Sequence, residues 1–339
     1  MATINDIAKA AGVSKATVSN VFTKKKPVGQ EIKQRVLEVC KELNYYPNRM
    51  ASSLVTKRTN IIGLLLENSK EKFKHFYGDL INGVMTSAAK CGYKVLLDAC
   101  TDDYEQVHTT LIARSDPIDG SIIHAPIIED DRILEMIDKH IPFVLIGRPS
   151  DEIDEGIFYI DVNNVDLACK TTTHLLQLGH REIGFLNSRP NMTITFDRLK
   201  GYIEALGAYG IPFNPSLVYN SDNTAATGKV TCSELLRNNP QVTAIITCSD
   251  DVAVGVYDVL ERKGYRIPDD ISVIALGGDD YSGMLEPRLT TVLIDYRKMG
   301  KLAVELLLKR IKKEPVDEKR IIVEAKTFKG ESCTVYPKK

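Results

Sequence analysis

A short segment near the amino terminus carries side chains that could read the edges of DNA bases. Lys15 can donate to guanine O6 and N7, Asn20 can pair with adenine in bidentate fashion, and Ala16 offers apolar contact, as to a thymine methyl group. Hydroxyl and ammonium groups around them suit phosphate oxygens. These flanking candidates are Ser14, Thr17, Ser19, Lys24, Lys25 and Lys26.

Two helices joined by a tight turn are expected to hold these side chains. Thr3 is placed as the N-cap of the first helix, with Asp6 in the capping-box position, and we count Thr3 among the DNA-binding candidates. Gly12 interrupts the helical pattern, and Ser14 caps a second helix that runs to Val21. In a helix-turn-helix unit this second helix enters the major groove.

A third amphipathic segment, from Glu31 to Leu43, is expected to close a three-helix core. Its predicted apolar stripe is Ile32, Val36, Leu37, Cys40 and Leu43. Short amphipathic helices also occur in ordinary helical bundles, so the pattern alone leaves that simpler reading open.

The charge of the chain is unevenly distributed. Residues 1–60 hold eleven Lys and Arg against four Asp and Glu, a net charge of +7, which leaves -8 for residues 61–339. Only the amino-terminal segment is therefore suited to a polyanion such as DNA.

The whole chain has the length and composition of a multidomain globular protein. Its 339 residues suit two or three compact units. No apolar run approaches the roughly 18 residues of a membrane span, and the first residues lack a secretory leader, so we expect a cytoplasmic protein without membrane contact. The seven cysteines lack paired C-x-x-C spacing. We therefore expect no metal site and no cofactor.

From Asn60 onward, short apolar runs alternate with longer amphipathic stretches, which predicts parallel β-α-β units. The predicted strands are Ile61–Leu66, Val95–Leu97, Ser121–Ile123, Phe143–Ile146, Ile183–Leu186, Ala244–Thr247 and Val273–Leu276. The predicted helices include Tyr77–Cys91, Val165–Leu178, Ala225–Asn238 and Asp251–Gly264. Ligands of such sheets bind beyond the carboxyl ends of the strands.

Motifs of catalysis are missing from this larger region. The six histidines lack H-E-x-x-H spacing, and neither a G-x-S-x-G elbow nor a G-x-x-x-x-G-K-[ST] loop occurs. We therefore expect a binding protein with no catalytic residues. A solute-binding protein for a transporter is the rival class, but it would need an export signal and no DNA-binding domain.

The chain resembles the lactose-repressor family of transcriptional regulators. The first resemblance is Thr3-Ile4-x-Asp6-Ile7-Ala8-x-x-Ala11-Gly12-Val13-Ser14-x-x-Thr17-Val18-Ser19. Later landmarks follow in order: Ile118-Asp119-Gly120, Gly147-Arg148-Pro149, Asp161-Val162-Asn163-Asn164, His174 to His180, and Leu289-Thr290-Thr291-Val292.

The resemblance implies an α-helical helix-turn-helix headpiece and an α/β core of two subdomains with parallel sheets. The core would be similar to periplasmic sugar-binding proteins, crossed three times by the chain, with the ligand in the cleft between the subdomains. The implied boundaries are 1–46 for the DNA-binding domain, 47–59 for a hinge and 60–339 for effector binding and dimerisation.

A hinge helix after Pro47 is also implied. Asn48 can cap it, Ala51 lies within it, and Leu54 matches the family leucine that wedges between base steps in the minor groove. The alternative is a leucine packed in an interdomain linker. Ser52 stands where many members carry arginine, so this chain departs from the family there.

The resemblance also implies effector-binding residues. They are Phe76, Tyr77, Arg148, Arg198, Ser249, Asp250 and Asp279. Two departures point to a ligand other than that of the lactose repressor. Arg148 stands near an aspartate of that protein, and Leu276-Gly277 replaces the usual aromatic residue followed by aspartate. Asp279 or Asp280 could replace the missing carboxylate.

The expected function is a homodimeric repressor of carbohydrate-utilisation genes, released from a palindromic operator by a sugar. No leucine heptad follows the core elements, which favours a dimer over a tetramer. Strengthening by a corepressor and control by a catabolite-sensing protein partner remain alternatives.

Overall fold

The computed structural model describes residues 2–23, 26–45, 58–67, 76–100, 118–153, 156–278 and 284–336. The chain divides into two compact units, Met1–Asn60, called the headpiece below, and Ile61–Lys339, called the core. The predicted hinge lies outside the described residues except for 58 and 59, so the predicted domain boundaries stay predictions.

The headpiece contains three helices in its described residues, α1 (Ile4–Ala10), α2 (Lys15–Thr23) and α3 (Gln30–Glu42). Their buried side chains form one small apolar cluster, centred on Ile7, Val18 and Val36. The predicted capping box is present, because Asp6 and Thr3 bond each other's backbone N–H groups. The helix-turn-helix prediction is confirmed.

Part of the stripe predicted for α3 is wrong. Val36 and Cys40 are buried, but Leu37 and Leu43 are 45% and 42% exposed. Val39 packs against the cluster instead. The headpiece core is small, so a narrow stripe on this helix is enough to close it. Ile32, Val36, Val39 and Cys40 form that stripe.

The core consists of two α/β subdomains. The amino-terminal subdomain holds a six-stranded sheet of order β2-β1-β3-β4-β5-β11, and every neighbouring pair is parallel. Its strands are β1 (Ile61–Glu67), β2 (Lys94–Cys100), β3 (Gly120–His124), β4 (Phe143–Ile146), β5 (Tyr159–Asp161) and β11 (Arg320–Ile322).

The carboxy-terminal subdomain holds the second sheet, of order β12-β10-β9-β8-β6-β7. Only the pair of β10 and β12 is antiparallel among these strands. The strands are β6 (Ile183–Asn187), β7 (Val218–Asn220), β8 (Ala244–Thr247), β9 (Ser272–Gly278), β10 (Thr290–Leu293) and β12 (Lys326–Phe328). All seven predicted strands are found, most of them one to four residues longer than predicted.

Helices cover the faces of both sheets, as parallel strands require. The amino-terminal subdomain uses α4 (Phe76–Lys90), α5 (Asp131–Asp138) and α10 (Tyr296–Lys312), and the other uses α6 (Asn164–Gln177), α7 (Thr193–Ala208), α8 (Ala225–Asn238) and α9 (Asp250–Arg262). No helix in the described ranges is long and apolar enough to cross a membrane.

The chain passes between the subdomains three times. The passages are 162–163, between β5 and α6, 294–295, between β10 and α10, and 323–325, between β11 and β12. The two-subdomain architecture is therefore confirmed, and the loops after the strands of both sheets meet at one cleft.

Candidate DNA-binding and effector sites

The start of α2 presents the predicted base-reading side chains. Ser14 Oγ accepts the Thr17 N–H at 3.0 Å, which caps the helix and leaves Lys15 and Ala16 exposed. Asn20, one turn later, is half-buried. An ammonium group, a methyl group and an amide therefore follow one another along the first turns of a helix.

The turn before α2 depends on backbone conformation. Gly12 has a φ of +66°, in the left-handed region that favours glycine. The Val13 N–H donates to the Ala8 carbonyl at 3.0 Å and closes the turn. The angle between α1 and α2 is thus set by the local chain.

The other headpiece candidates serve local caps or lie at the surface. The Thr3 hydroxyl donates to Asp6 at 2.8 Å, and the Ser14 and Thr17 hydroxyls are 2.9 Å apart. Ser19 is half-buried and Lys26 is exposed. The remaining candidates lie outside the described residues: Lys24, Lys25, Asn48, Ala51 and Leu54.

A cleft of about 1040 Å³, counted with its open mouth, lies between the two subdomains of the core. Four predicted effector residues line it: Arg148, Arg198, Ser249 and Asp250. Apolar side chains such as Ile146, Met192 and Ile294 share its walls with these polar groups.

Arg198 is the most deeply anchored of these residues. Its side chain is 3% exposed and donates to the Cys248 and Leu276 carbonyls, at 2.8 Å each, and to Asn164 Oδ1 at 3.2 Å. Burial lowers its pKa, yet a guanidinium stays charged at neutral pH. It therefore brings a fixed positive charge to the cleft wall.

Asp161, at the end of β5, is the buried carboxyl beside this charge. It accepts the Val162 N–H at 2.8 Å and Asn164 Nδ2 at 3.2 Å. Burial raises its pKa to about 7, assisted by the negative charge of Asp197 and opposed by Arg198. Near neutral pH this group can therefore either donate or accept a hydrogen bond in the cleft.

The loop from β8 to α9 supplies a second polar wall. Ser249 is the N-cap of α9, and its hydroxyl accepts the Val252 N–H at 3.4 Å. Asp250 is buried and accepts the Thr291 hydroxyl at 2.8 Å. Cys248 is buried beside them, and its thiol donates to Asn223 Oδ1 at 2.8 Å.

Arg148 reaches the cleft from the loop after β4. Its Nε and Nη2 atoms donate to both carboxylate oxygens of Asp197 at 2.7 and 2.8 Å, and Nη1 donates to Asp151 at 2.9 Å. The carboxylate of Asp197 raises the pKa of Arg148. Arg148, which was predicted to bind the effector, therefore already bonds Asp197, a residue that was not predicted from the sequence.

Three of the predicted effector-binding residues are not among the described residues that line the cleft. Tyr77 is buried and packs edge-on against His124, with ring centroids 5.4 Å apart, so that His124 rather than Tyr77 lines the described wall. The side chain of Phe76 and all of Asp279 lie outside the described residues.

Asp161, Asn164 and Asp197 were not predicted as site residues from the sequence. Asp161 and Asn164 fall within a family landmark that lies directly before the predicted helix Val165–Leu178, and this position was the available signal. Asp197 precedes Arg198 on α7, but nothing in the sequence pairs it with residue 148. The described residues contain no group of three His, Cys, Asp or Glu side chains suited to a metal ion.

A helix-turn-helix unit with a reading face, followed by a two-subdomain core with a polar cleft, defines a ligand-responsive DNA-binding regulator. Residues 3–48 match the family of bacterial regulatory proteins of the lacI type, and residues 172–333 match the periplasmic binding protein-like domain. The chain belongs to the LacI family of transcriptional regulators.

Individual relatives cover nearly the whole chain. The HTH-type transcriptional regulator CelR of Thermobifida fusca is 30% identical over 97% of this chain and 98% of its own length. The solved complex of CelR with cellobiose has a TM-score of 0.75 at 28% identity, covering 98% of this chain and all of that one. The lac repressor dimer bound to operator and the anti-inducer ONPF has a TM-score of 0.85 at 25% identity, covering 98% and 99%.

Proposed function

We propose that this protein is a homodimeric repressor that binds a roughly palindromic operator and is released by a sugar in the core cleft. The observation that carries the proposal is the cleft itself, where the charged Arg198 and the neutral-to-anionic Asp161 face apolar side chains. Sugars present hydroxyl groups that both donate and accept hydrogen bonds, and they also have apolar ring faces. The polar groups of the cleft walls complement the hydroxyl groups, and the apolar side chains complement the ring faces.

The headpiece supports the operator half of the proposal. Lys15, Ala16 and Asn20 would read base edges, while Lys26 and the hydroxyls of Thr3, Ser14, Thr17 and Ser19 would contact phosphates. Lys24 and Lys25 would add further phosphate contacts. From the hinge, Asn48 and Ala51 would support a short helix and Leu54 would wedge between base steps in the minor groove.

The dimer and its setting follow from the family. A solved lac repressor is a dimer on its operator, and two-fold symmetry of a dimer predicts a palindromic site. We further propose a cytoplasmic protein without catalytic activity, because its relatives are named as DNA-binding regulators.

The effector class can be tested on the full chain. An operator would first be selected from random duplexes, and fluorescence anisotropy would then follow its release by cellobiose, ribose, glucose, sugar phosphates, hypoxanthine and guanine. We expect one saccharide to lower operator affinity at least tenfold and to raise the melting temperature, since a ligand that binds only the folded state stabilises it.

Other outcomes separate the alternatives. Tighter operator binding with a purine would identify a corepressor and contradict release by a sugar. A folded chain that binds no operator in the selection would contradict the regulator function itself. If the chain binds its operator and no small molecule changes that affinity, the result would favour a protein partner as the regulating signal.

A further inference from the structure

One edge of the cleft is closed by contacts between the two subdomains. Arg148 belongs to the amino-terminal subdomain and Asp197 to α7 of the other, and they share two hydrogen bonds of 2.7 and 2.8 Å. The Thr193 hydroxyl, also on α7, donates to the Arg148 carbonyl at 3.0 Å. Three hydrogen bonds therefore join residue 148 to one helix across the cleft.

A backbone contact lies next to this ion pair. The Ile128 N–H donates to the Asn191 carbonyl at 2.9 Å, and Ile127 forms an antiparallel bridge with Met192. Residues 127 and 128 follow β3 in one subdomain, and residues 191 and 192 follow β6 in the other. The Ile128 amide is thus a natural reporter of contact between the subdomains.

Hydrogen bonds of Asp130 and Arg132 hold the loop that carries Ile128. Asp130 and Arg132 form a buried ion pair of 2.6 Å, and Asp130 also accepts the Ile127 N–H at 3.2 Å. Arg132 also donates at 3.1 Å to the carbonyl of Ala125, whose φ is +52°. Because these bonds hold the loop to its own subdomain, we expect that separation of the two subdomains breaks the hydrogen bond between Ile128 and Asn191.

We propose that Arg148 and Asp197 form a latch that holds the two walls of the cleft together, with Asp197 positioning the Arg148 guanidinium. The latch would regulate the effector site, so this part of the proposal rests on the proposed function. An effector that bridges both walls binds the latched state better, so its affinity falls with the population of that state. Arg148 is a cleft residue, whereas Asp197 acts through it.

The geometry favours a latch over an ordinary surface pair. Both side chains are largely buried, with 24% and 14% exposure, and the contact is bidentate. Bidentate charge-assisted bonds are stronger and more directional than single ones. The pair also joins parts of the chain 49 residues apart, on different sheets.

Hydrogen exchange of the full chain without effector tests the latch directly. In Asp197→Asn we expect peptides containing Ile128 to exchange about tenfold faster, which corresponds to about 1.4 kcal/mol, while peptides of β3 and β6 keep their protection. Arg148→Lys should have a similar but smaller effect, and Asp197→Glu should restore part of the protection.

Asp258→Asn is the matched control, because it removes an ion pair to Lys229 that joins two helices within one subdomain. Its Ile128 exchange should equal that of the wild type. Unchanged Ile128 exchange in folded Asp197→Asn would overturn the latch. If that variant loses protection throughout, folded Arg148→Lys decides, and unchanged Ile128 exchange there overturns it equally.

The exchange measurement needs no effector, so the latch and the proposed function can fail separately. Release of the operator from the wild type by any one saccharide of that panel tests the proposed function alone. If that saccharide releases the operator less readily from Asp197→Asn, and the Ile128 amide also exchanges faster, the latch regulates the effector site. Faster Ile128 exchange in Asp197→Asn with an unchanged response to the saccharide would contradict regulation of the effector site by the latch.

Discussion

The headpiece and the core hold their functional side chains in opposite ways. In the headpiece, the Ser14 cap and the Thr17 N–H it bonds are three residues apart, and of the reading residues Lys15 and Ala16 are exposed and Asn20 is half-buried. In the core, Arg198 is buried and its partners lie 34, 50 and 78 residues away. Local sequence thus shapes the DNA-reading surface, and tertiary structure shapes the effector cleft.

This difference predicts that substitutions separate function from stability in the headpiece and combine them in the core. An exposed side chain on a capped helix can be removed without leaving a buried partner unpaired. Removing a buried guanidinium leaves carbonyl oxygens without donors, and each such group costs roughly 1–3 kcal/mol. Substitutions in both units test this contrast.

Arg198→Met should give the largest effect. It leaves the carbonyls of Cys248 and Leu276 without their donor, so we expect a loss of about 3–5 kcal/mol in the free energy of unfolding. Urea unfolding of the full chain measures it. Lys200→Met, two residues along α7 and exposed, should change stability by less than about 0.5 kcal/mol. A loss below about 1 kcal/mol in Arg198→Met would show that Arg198 is not structurally required.

Asp161→Asn should change how core stability depends on pH. The pKa of Asp161 is about 7 in the fold against 3.8 for an exposed carboxyl, because burial disfavours the carboxylate. The stability that this raised pKa contributes is therefore fully present below pH 3.8 and is lost as pH rises through about 7. The difference corresponds to roughly 4 kcal/mol.

Unfolding of both proteins between pH 4 and pH 8 measures this effect. Wild type should lose stability relative to Asp161→Asn as pH rises, since asparagine does not ionise while Asp197 and Arg198 remain beside it. Parallel pH profiles would mean that the fold accommodates the carboxylate without cost, contrary to what its burial indicates.

Lys15→Ala should change specificity and leave stability alone. We expect a loss of about 1–3 kcal/mol on the selected operator and a relaxed preference at one base pair. Binding to a panel of single-base operator variants measures it. Lys33→Ala, exposed on α3, should weaken binding evenly if at all. Undiminished discrimination at every base pair in Lys15→Ala would remove Lys15 from the reading set.

The same contrast explains what could be predicted from the sequence. Caps and apolar periodicity are local, so Thr3, Ser14 and strands such as Ala244–Thr247 were placed correctly. The family resemblance predicted Arg198 as an effector-binding residue, and Arg198 lines the cleft. The pairing of Arg148 with Asp197 depends on how two subdomains meet, which no local pattern encodes. The exposure of Leu37 and Leu43 likewise depends on the small size of the headpiece core.

The smallest effects should come from glycines, and they should have opposite signs in the two units. Gly12→Ala forces a side chain into a φ of +66°, so the headpiece should lose about 1–2 kcal/mol although the space around it is open. Gly207→Ala lies within α7, also in open space and without a positive φ, and should stabilise the core by up to about 1 kcal/mol.

Separate melting transitions of the headpiece and the core would distinguish these two changes. A stable headpiece in Gly12→Ala would mean that the turn can adopt another conformation and that the angle between α1 and α2 is set by packing. Operator binding then decides the point, because a shifted α2 would move Lys15 and Asn20 off their bases even in a well-folded headpiece. Loss of both stability and binding would leave the turn as the local origin of the DNA-reading surface.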